Sequence, residues 1–163
     1  MRELLQLGTL LREYGGPVVE RETELIETAR AATAAFNRAV AAGAGEREVE
    51  AYLELVAADI RLHTITRIAS GEGVIRGHEE ARAYFRRFRE VIEDCHIDDR
   101  SYRLLDDGRV LILGTWRLRG RASGADVEEE WASVSAFDEG LMIEARAFGN
   151  HADALRQAGL EEG

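Results

Sequence analysis

The apolar residues of this chain change their spacing near Cys95, from a period of about 3.6 residues to a period of about two. Before Cys95, apolar residues recur at every third or fourth position. After it, the turn sequences "DDG" (106–108), "GRASGAD" (120–126) and "DEG" (138–140) separate four alternating stretches. Helices followed by strands predict an α+β domain, in which helices cover one side of a mostly antiparallel sheet.

The apolar spacing predicts three main helices. The first spans Glu20–Ala42, the second is shorter and ends near Ala58, and the third begins at Gly77. The segment "NHADALRQAG" predicts a short closing helix, with asparagine as its N-cap and glycine just past its end. We expect seven side chains of this domain to be largely buried: Phe36, Tyr52, Leu53, Tyr84, Phe85, Phe88 and Trp131.

The chain divides into an N-terminal extension, residues 1–19, and one domain, residues 20–163. The extension contains a leucine-rich piece before "YGGP", which is either a short extra helix docked on the domain or a frayed end. Its start is too charged for the apolar core of a signal peptide, and no apolar run approaches the length of a membrane span. We therefore expect a cytoplasmic protein with no membrane partner.

The formal charge of -10 makes this chain a poor partner for nucleic acid, because an acidic surface repels phosphate backbones. All 21 of its Lys or Arg residues are arginine. The lone Cys95 cannot form an internal disulfide, so stability must come from burial, which suits a reducing compartment. The acidic run "DVEEE" lacks the histidine spacing of a metal site. We expect neither a metal nor another cofactor.

Five stretches follow one another along the chain: "AAFNRA" in the first helix, "YLELVAADIRLHT" leading into the first strand, "GVIRGHEEARAYFRRF" entering the third helix, "GRASGADVEEEWASVSAFDEGLMIEARAF" across the last hairpin, and "ADALRQAGL" at the end. In this ordered set the chain resembles the NTF2-like superfamily, specifically its SnoaL-like branch. The resemblance implies a curved sheet around a conical cavity under the helices, and a homodimer formed through the sheets. The fold serves ketosteroid isomerases, polyketide cyclases and proteins without a known reaction, so it does not define the function.

The side chains Tyr84, Trp116, Trp131 and Ser133 are our candidate ligand-binding residues. On the strand that follows "GRASGAD", one face alternates large aromatic residues with hydroxyls, which is typical of a pocket for an apolar, oxygen-bearing ligand. The same face would equally suit an ordinary core or a dimer interface. Gly114 on the neighbouring strand would leave room for a ligand or a bulky neighbour.

His63 is the candidate catalytic residue, because histidine can accept or donate a proton near neutral pH. Either it faces the cavity and acts as acid or base, or it lies at the rim with a structural role. Three functions remain open: a small-molecule-binding protein, a cofactor-free isomerase or cyclase that uses His63, and a non-catalytic dimerisation or interaction module.

In the ketosteroid isomerases, a tyrosine of the first helix and an aspartic acid of a late strand donate hydrogen bonds to the dienolate oxygen. An aspartate of the first strand moves the proton. The landmarks "AAFN" and "AADI" place Ala32, Thr64 and Ser133 at these three positions. The resemblance therefore implies that all three functional groups are missing.

We predict that this protein has no useful 3-ketosteroid isomerase activity, because neither threonine nor serine can replace a carboxylate base. Loss of an oxyanion donor typically lowers the rate by about 10²–10³ per donor. A spectrophotometric assay with a Δ5-3-ketosteroid tests this. Turnover of about 1 s⁻¹ or above, the low end of ordinary enzymes, would contradict the prediction, and its loss in His63→Ala would identify the responsible residue.

Overall fold

The computed structural model describes residues 16–65 and 73–160, in which four helices pack on a curved six-stranded sheet. The α+β prediction is therefore confirmed. The elements in chain order are α1 (Gly16–Val40), α2 (Glu46–Leu53), β1 (Val56–His63), β2 (Val74–Arg76), α3 (Gly77–Val91), β3 (Ile92–Leu104), β4 (Val110–Gly120), β5 (Asp126–Asp138), β6 (Leu141–Phe148) and α4 (His151–Gln157). No helix within the described residues is long and apolar enough to cross a membrane.

The strands lie in the order β2-β1-β6-β5-β4-β3. Strands β3 to β6 form the antiparallel meander that the alternating pattern predicts. The β5–β6 turn has positive φ at both Glu139 and Gly140, as a tight two-residue hairpin requires. Strand β1 is antiparallel to β2 but parallel to β6. Between β2 and β3 the chain therefore crosses from one edge of the sheet to the opposite edge.

Two helix boundaries differ from the sequence prediction. Helix α1 begins at Gly16, within the segment assigned to the extension, and the leucine-rich piece before it lies outside the described residues. Helix α2 ends at Leu53, not near Ala58, because Val56 and Ala57 already belong to β1. Both of these residues are buried, so the start of the strand lacks the alternation that would distinguish it from a helix.

The main core lies between the helices and the inner face of the sheet, and a cluster of aromatic rings forms its centre. Phe85 of α3 contacts Phe36 of α1, Tyr52 of α2 and Tyr84 of its own helix, with ring centroids 5.4–5.8 Å apart. Such pairs stabilise a fold by about 0.5–1.5 kcal/mol each beyond their buried area. Six of the seven side chains expected to be largely buried are buried, and Phe36 is half-buried.

Helix α1 is also bound to the sheet by Asn37. Its side-chain amide donates to the carbonyl of Ile97 at 2.9 Å, and its side-chain oxygen accepts from the N–H of the same residue at 2.8 Å. The asparagine thus occupies both backbone groups of one residue of β3, as a neighbouring strand would. A buried backbone group left without a partner is costly, so this pair fixes the position of α1 along β3.

The outer face of the sheet carries α4, which packs on the apolar residues Leu111, Ala132 and Val134. The predicted N-cap is confirmed, because the side chain of Asn150 accepts from the N–H of Asp153 at 2.8 Å. Gly159, one residue past the C-cap, has the expected positive φ of 74°.

Gly114 of β4 makes room for the backbone of β3 and not for a ligand. A Cβ atom at this position would overlap the carbonyl oxygen of Asp98, close to an irregularity in the register of β3 between Asp99 and Ser101. The carbonyl of Gly114 also accepts a hydrogen bond from His151 at 2.7 Å, which joins α4 to the sheet.

We predict that Gly114→Ala lowers the free energy of unfolding by about 3 kcal/mol, because the added methyl group displaces a strand backbone. Chemical denaturation measures the change. Gly45→Ala is the matched control: its Cβ would meet nothing closer than 3.8 Å, so we expect a change within about 1 kcal/mol. Equal stability of the two variants would contradict the close approach of β3.

Candidate ligand-binding cavity

A cavity of about 100 Å³ lies between the inner face of the sheet and helices α1, α2 and α3. Its walls are mainly aliphatic and aromatic, with residues from all three helices and from β1, β3, β4, β5 and β6. The small side chains Ala29 and Ala32 of α1 and Ala145 and Ala147 of β6 line it on opposite sides. Small residues on both walls leave this space unfilled by side chains.

The polar groups of the cavity are mostly hydroxyls, from Thr33, Tyr52, Tyr84, Ser133 and Ser135, with Thr64 at the end of β1. None of the described residues that line the cavity is an aspartate, glutamate, lysine or arginine. A charged ligand would therefore lose its hydration without gaining a partner of opposite charge. The lining suits a neutral molecule.

Strand β5 supplies one face to the cavity, which is one of the environments that its alternating sequence left open, beside an ordinary core and a dimer interface. Trp131, Ser133, Ser135 and Phe137 all line it. The two serine hydroxyls are buried and lie 3.4 Å apart, so each has the other as a hydrogen-bond partner. The seryl oxygens thus form a small polar strip within an otherwise apolar wall.

Tyr52 and Tyr84 are buried beside the aromatic cluster, and burial raises the pKa of each phenol above its usual range. An ionised phenol would be poorly solvated in this environment. Both groups therefore remain neutral hydroxyls, which can donate or accept a hydrogen bond but do not supply a phenolate base.

Trp116 of β4 separates the cavity from a second, outer space of about 240 Å³. The two spaces share Trp116 and Ile65, and the outer space is also bordered by Leu118, Val127 and Glu129. The indole Nε1 of Trp116 is buried and has no hydrogen-bond partner. It is the one such side-chain nitrogen or oxygen in the described part of the chain.

His63, at the end of β1, borders the cavity, but its imidazole has a partner outside it. Its Nε2 lies 3.5 Å from the carboxylate of Glu144 on β6, which also binds Arg61 at 3.1 Å. Because Leu62 packs in the inner core, the alternation of the strand directs the next side chain toward the other face of the sheet.

The structure brings four of the sequence-predicted residues together: Tyr84, Trp116, Trp131 and Ser133 all line the cavity. His63 lies at its edge. Ala32 and Thr64, which the resemblance to ketosteroid isomerases assigned together with Ser133 to functional positions, line it as well.

Sequence reasoning missed Thr33, Tyr52 and Ser135 as cavity residues. Thr33 is a polar residue on the apolar side of α1, and Ser135 shares a strand face with Ser133. The spacing of both residues in the sequence could therefore have indicated that they line the cavity. Glu144, the partner of His63, had none, because the two residues are 81 positions apart and meet through the parallel pairing of β1 with β6.

Cys95 does not offer a nucleophile to this site. It is 1% exposed within the main core, and burial raises the pKa of its thiol to about 12. The thiolate is the reactive form of cysteine, so this side chain is inert near neutral pH. Within residues 16–65 and 73–160, no group of three His, Cys, Asp or Glu side chains is placed to hold a metal ion.

The profile of the SnoaL-like domain matches residues 29–145, which is more than half of the chain. The chain belongs to the SnoaL-like family. The match covers α1 from Ala29 and continues into β6, and it therefore includes all of the described lining residues except Ala147. No curated protein sequence matches this chain.

Solved structures with the same fold include an NTF2-like protein of unknown function from Burkholderia pseudomallei, with a TM-score of 0.65 and 20% identity over 83% of this chain and 97% of that one. TerC, co-crystallised with polyporic acid, has a TM-score of 0.64 and 16% identity over 83% and 97%. A putative SnoaL-like polyketide cyclase from Jannaschia has a TM-score of 0.62 and 17% identity over 87% and 95%. At these identities the likeness shows the fold alone.

Proposed function

We propose that this SnoaL-like protein binds a neutral, mostly apolar organic molecule in the cavity, with Tyr84, Trp116, Trp131 and Ser133 among the contact residues. The observation that carries the proposal is the combination of apolar walls with neutral hydroxyls and no charged side chain among the described lining residues. Apolar area supplies affinity in such pockets, and a few polar groups orient the ligand.

The structural neighbour TerC was co-crystallised with polyporic acid, which is an organic molecule and not a nucleotide or a metal ion; this supports an organic ligand but not its neutral charge. We likewise propose that the present chain needs neither a metal nor another cofactor for binding. The fold alone would not distinguish ligands, so the composition of the cavity lining is the stronger support.

We predict that the neutral fluorescent probe N-phenyl-1-naphthylamine binds saturably, with an increase in emission. Ala32→Met should weaken this binding about tenfold or more, equivalent to about 1.4 kcal/mol, because the longer side chain occupies part of the cavity. Ala34→Met, on the exposed side of the same helix, is the matched control and should bind as the wild type does. Fluorescence titration measures both, and thermal unfolding checks that both variants are folded.

Absence of saturable binding to the wild type would contradict the proposed function. Equal affinity of Ala32→Met and Ala34→Met would contradict the location of the site, because only the first of these positions lines the cavity.

A second candidate function is proton transfer by His63 in a cofactor-free isomerase or cyclase. The observation that favours it is the contact between His63 and the carboxylate of Glu144, because a carboxylate commonly orients a catalytic imidazole. The alternation of β1 favours binding over catalysis, since it directs the imidazole away from the inner face. Binding is therefore the first proposal.

Proton transfer predicts that the protein accelerates exchange of the C2 protons of 1-tetralone for deuterium in D₂O, as followed by proton NMR. In this reaction a base removes a C2 proton to give the enolate, and a deuteron then adds to C2. His63→Gln should lower the catalysed rate by about 10²–10⁴, whereas His96→Gln, an exposed histidine on β3, should not. If the C2 protons exchange no faster with the protein than in buffer alone, proton transfer by His63 is excluded for 1-tetralone.

We also propose that the protein is a cytoplasmic homodimer, formed through the outer face of the meander. Helix α4 covers much of that face, but Leu113 and Phe148 stay half-buried beside it and offer apolar area to a second copy. Light scattering at micromolar concentration should give twice the monomer mass of 18.1 kDa. A monomer mass would contradict the dimer.

A further inference from the structure

The buried indole N–H of Trp116 is a hydrogen-bond donor without a partner in the described chain. Trp116 is 4% exposed, so water does not reach the group freely. Indole nitrogen donates and does not accept. An unsatisfied buried donor is energetically unfavourable, and native structures contain few of them.

The hydroxyl groups on the neighbouring strand do not accept a hydrogen bond from the indole N–H of Trp116. Ser133 and Ser135 have each other as partners, at 3.4 Å. Ile97 and Ile112, which line the cavity with Trp116, present hydrocarbon. A bound water molecule needs about two to four polar partners to be stable, and these surroundings offer few.

We propose that Trp116 is the polar anchor of the ligand site, and that its indole N–H binds a carbonyl oxygen of a neutral, apolar ligand. This inference rests on the proposed function and adds the chemical class of the ligand. A carbonyl oxygen accepts hydrogen bonds without bringing a donor that would itself need a partner. A carboxylate would also accept, but it would be an unpaired anion beside the described lining residues.

The test uses a ligand pair that differs only in the carbonyl group: 1-tetralone and its hydrocarbon tetralin. Their dissociation constants are measured by displacement of N-phenyl-1-naphthylamine from the wild type, Trp116→Phe and Trp131→Phe. Trp131 is the matched control, because it is the other of the two tryptophans in the chain and lines the same cavity.

We expect Trp116→Phe to weaken the binding of 1-tetralone relative to tetralin by about fivefold, the effect of losing one neutral hydrogen bond. Trp131→Phe should weaken the two compounds by the same factor, because the proposal assigns the carbonyl oxygen to the N–H of Trp116 and not to that of Trp131. If Trp116→Phe still binds tetralin and the ratio of the two dissociation constants is unchanged, the proposed role of Trp116 is wrong. The proposed function would still stand. If the wild type binds neither the probe nor either compound, both the proposed function and the proposed role of Trp116 are wrong.

A second measurement avoids any substitution of Trp116. In ¹⁵N-labelled Trp131→Phe protein the remaining indole N–H signal belongs to Trp116. Saturating 1-tetralone should move its proton resonance downfield, as hydrogen bonding does, while saturating tetralin should not. Equal shifts with the two compounds would overturn the proposal, even if Trp116→Phe fails to fold.

Discussion

The contacts of Phe85 with rings from two other helices hold this structure together. Phe36 of α1 and Tyr52 of α2 pack on it with centroid distances of 5.8 and 5.4 Å, so one residue of α3 fixes the positions of three helices. The same cluster contributes to the cavity wall, because Tyr52 and Tyr84 belong to both. The packing that stabilises the helical layer thus also places two neutral phenols at the candidate site.

The sheet is constrained on both faces. Inside, Asn37 binds both backbone groups of Ile97 and sets the position of α1, while outside α4 packs on the meander. Gly114 lies where these constraints meet, since the backbone of β3 approaches it closely and His151 of α4 binds its carbonyl. The glycine expected to leave room for a ligand or a bulky neighbour therefore leaves room for the backbone of a neighbouring strand.

The described lining of the cavity contains no aspartate, glutamate, lysine or arginine, and this limits the chemistry of the site. Ala32, Thr64 and Ser133, which the resemblance to ketosteroid isomerases assigned to functional positions, line the cavity, and none of them is acidic. The imidazole of His63 pairs with Glu144, whereas the indole N–H of Trp116 has no partner in the described chain. For these reasons we propose a site that orients a neutral oxygen as the first candidate and proton transfer as the second.

The sequence determined the order of the elements, the α+β class and the inner face of β5, because local periodicity reports which side of an element is apolar. It therefore predicted Trp131, Ser133 and Tyr84 as cavity residues. Only the tertiary structure decided the end of α2, the contact of His63 with Glu144 and the isolation of the Trp116 N–H. Each of these depends on which distant strand or side chain lies alongside, and such long-range pairing leaves no periodic signal in the chain.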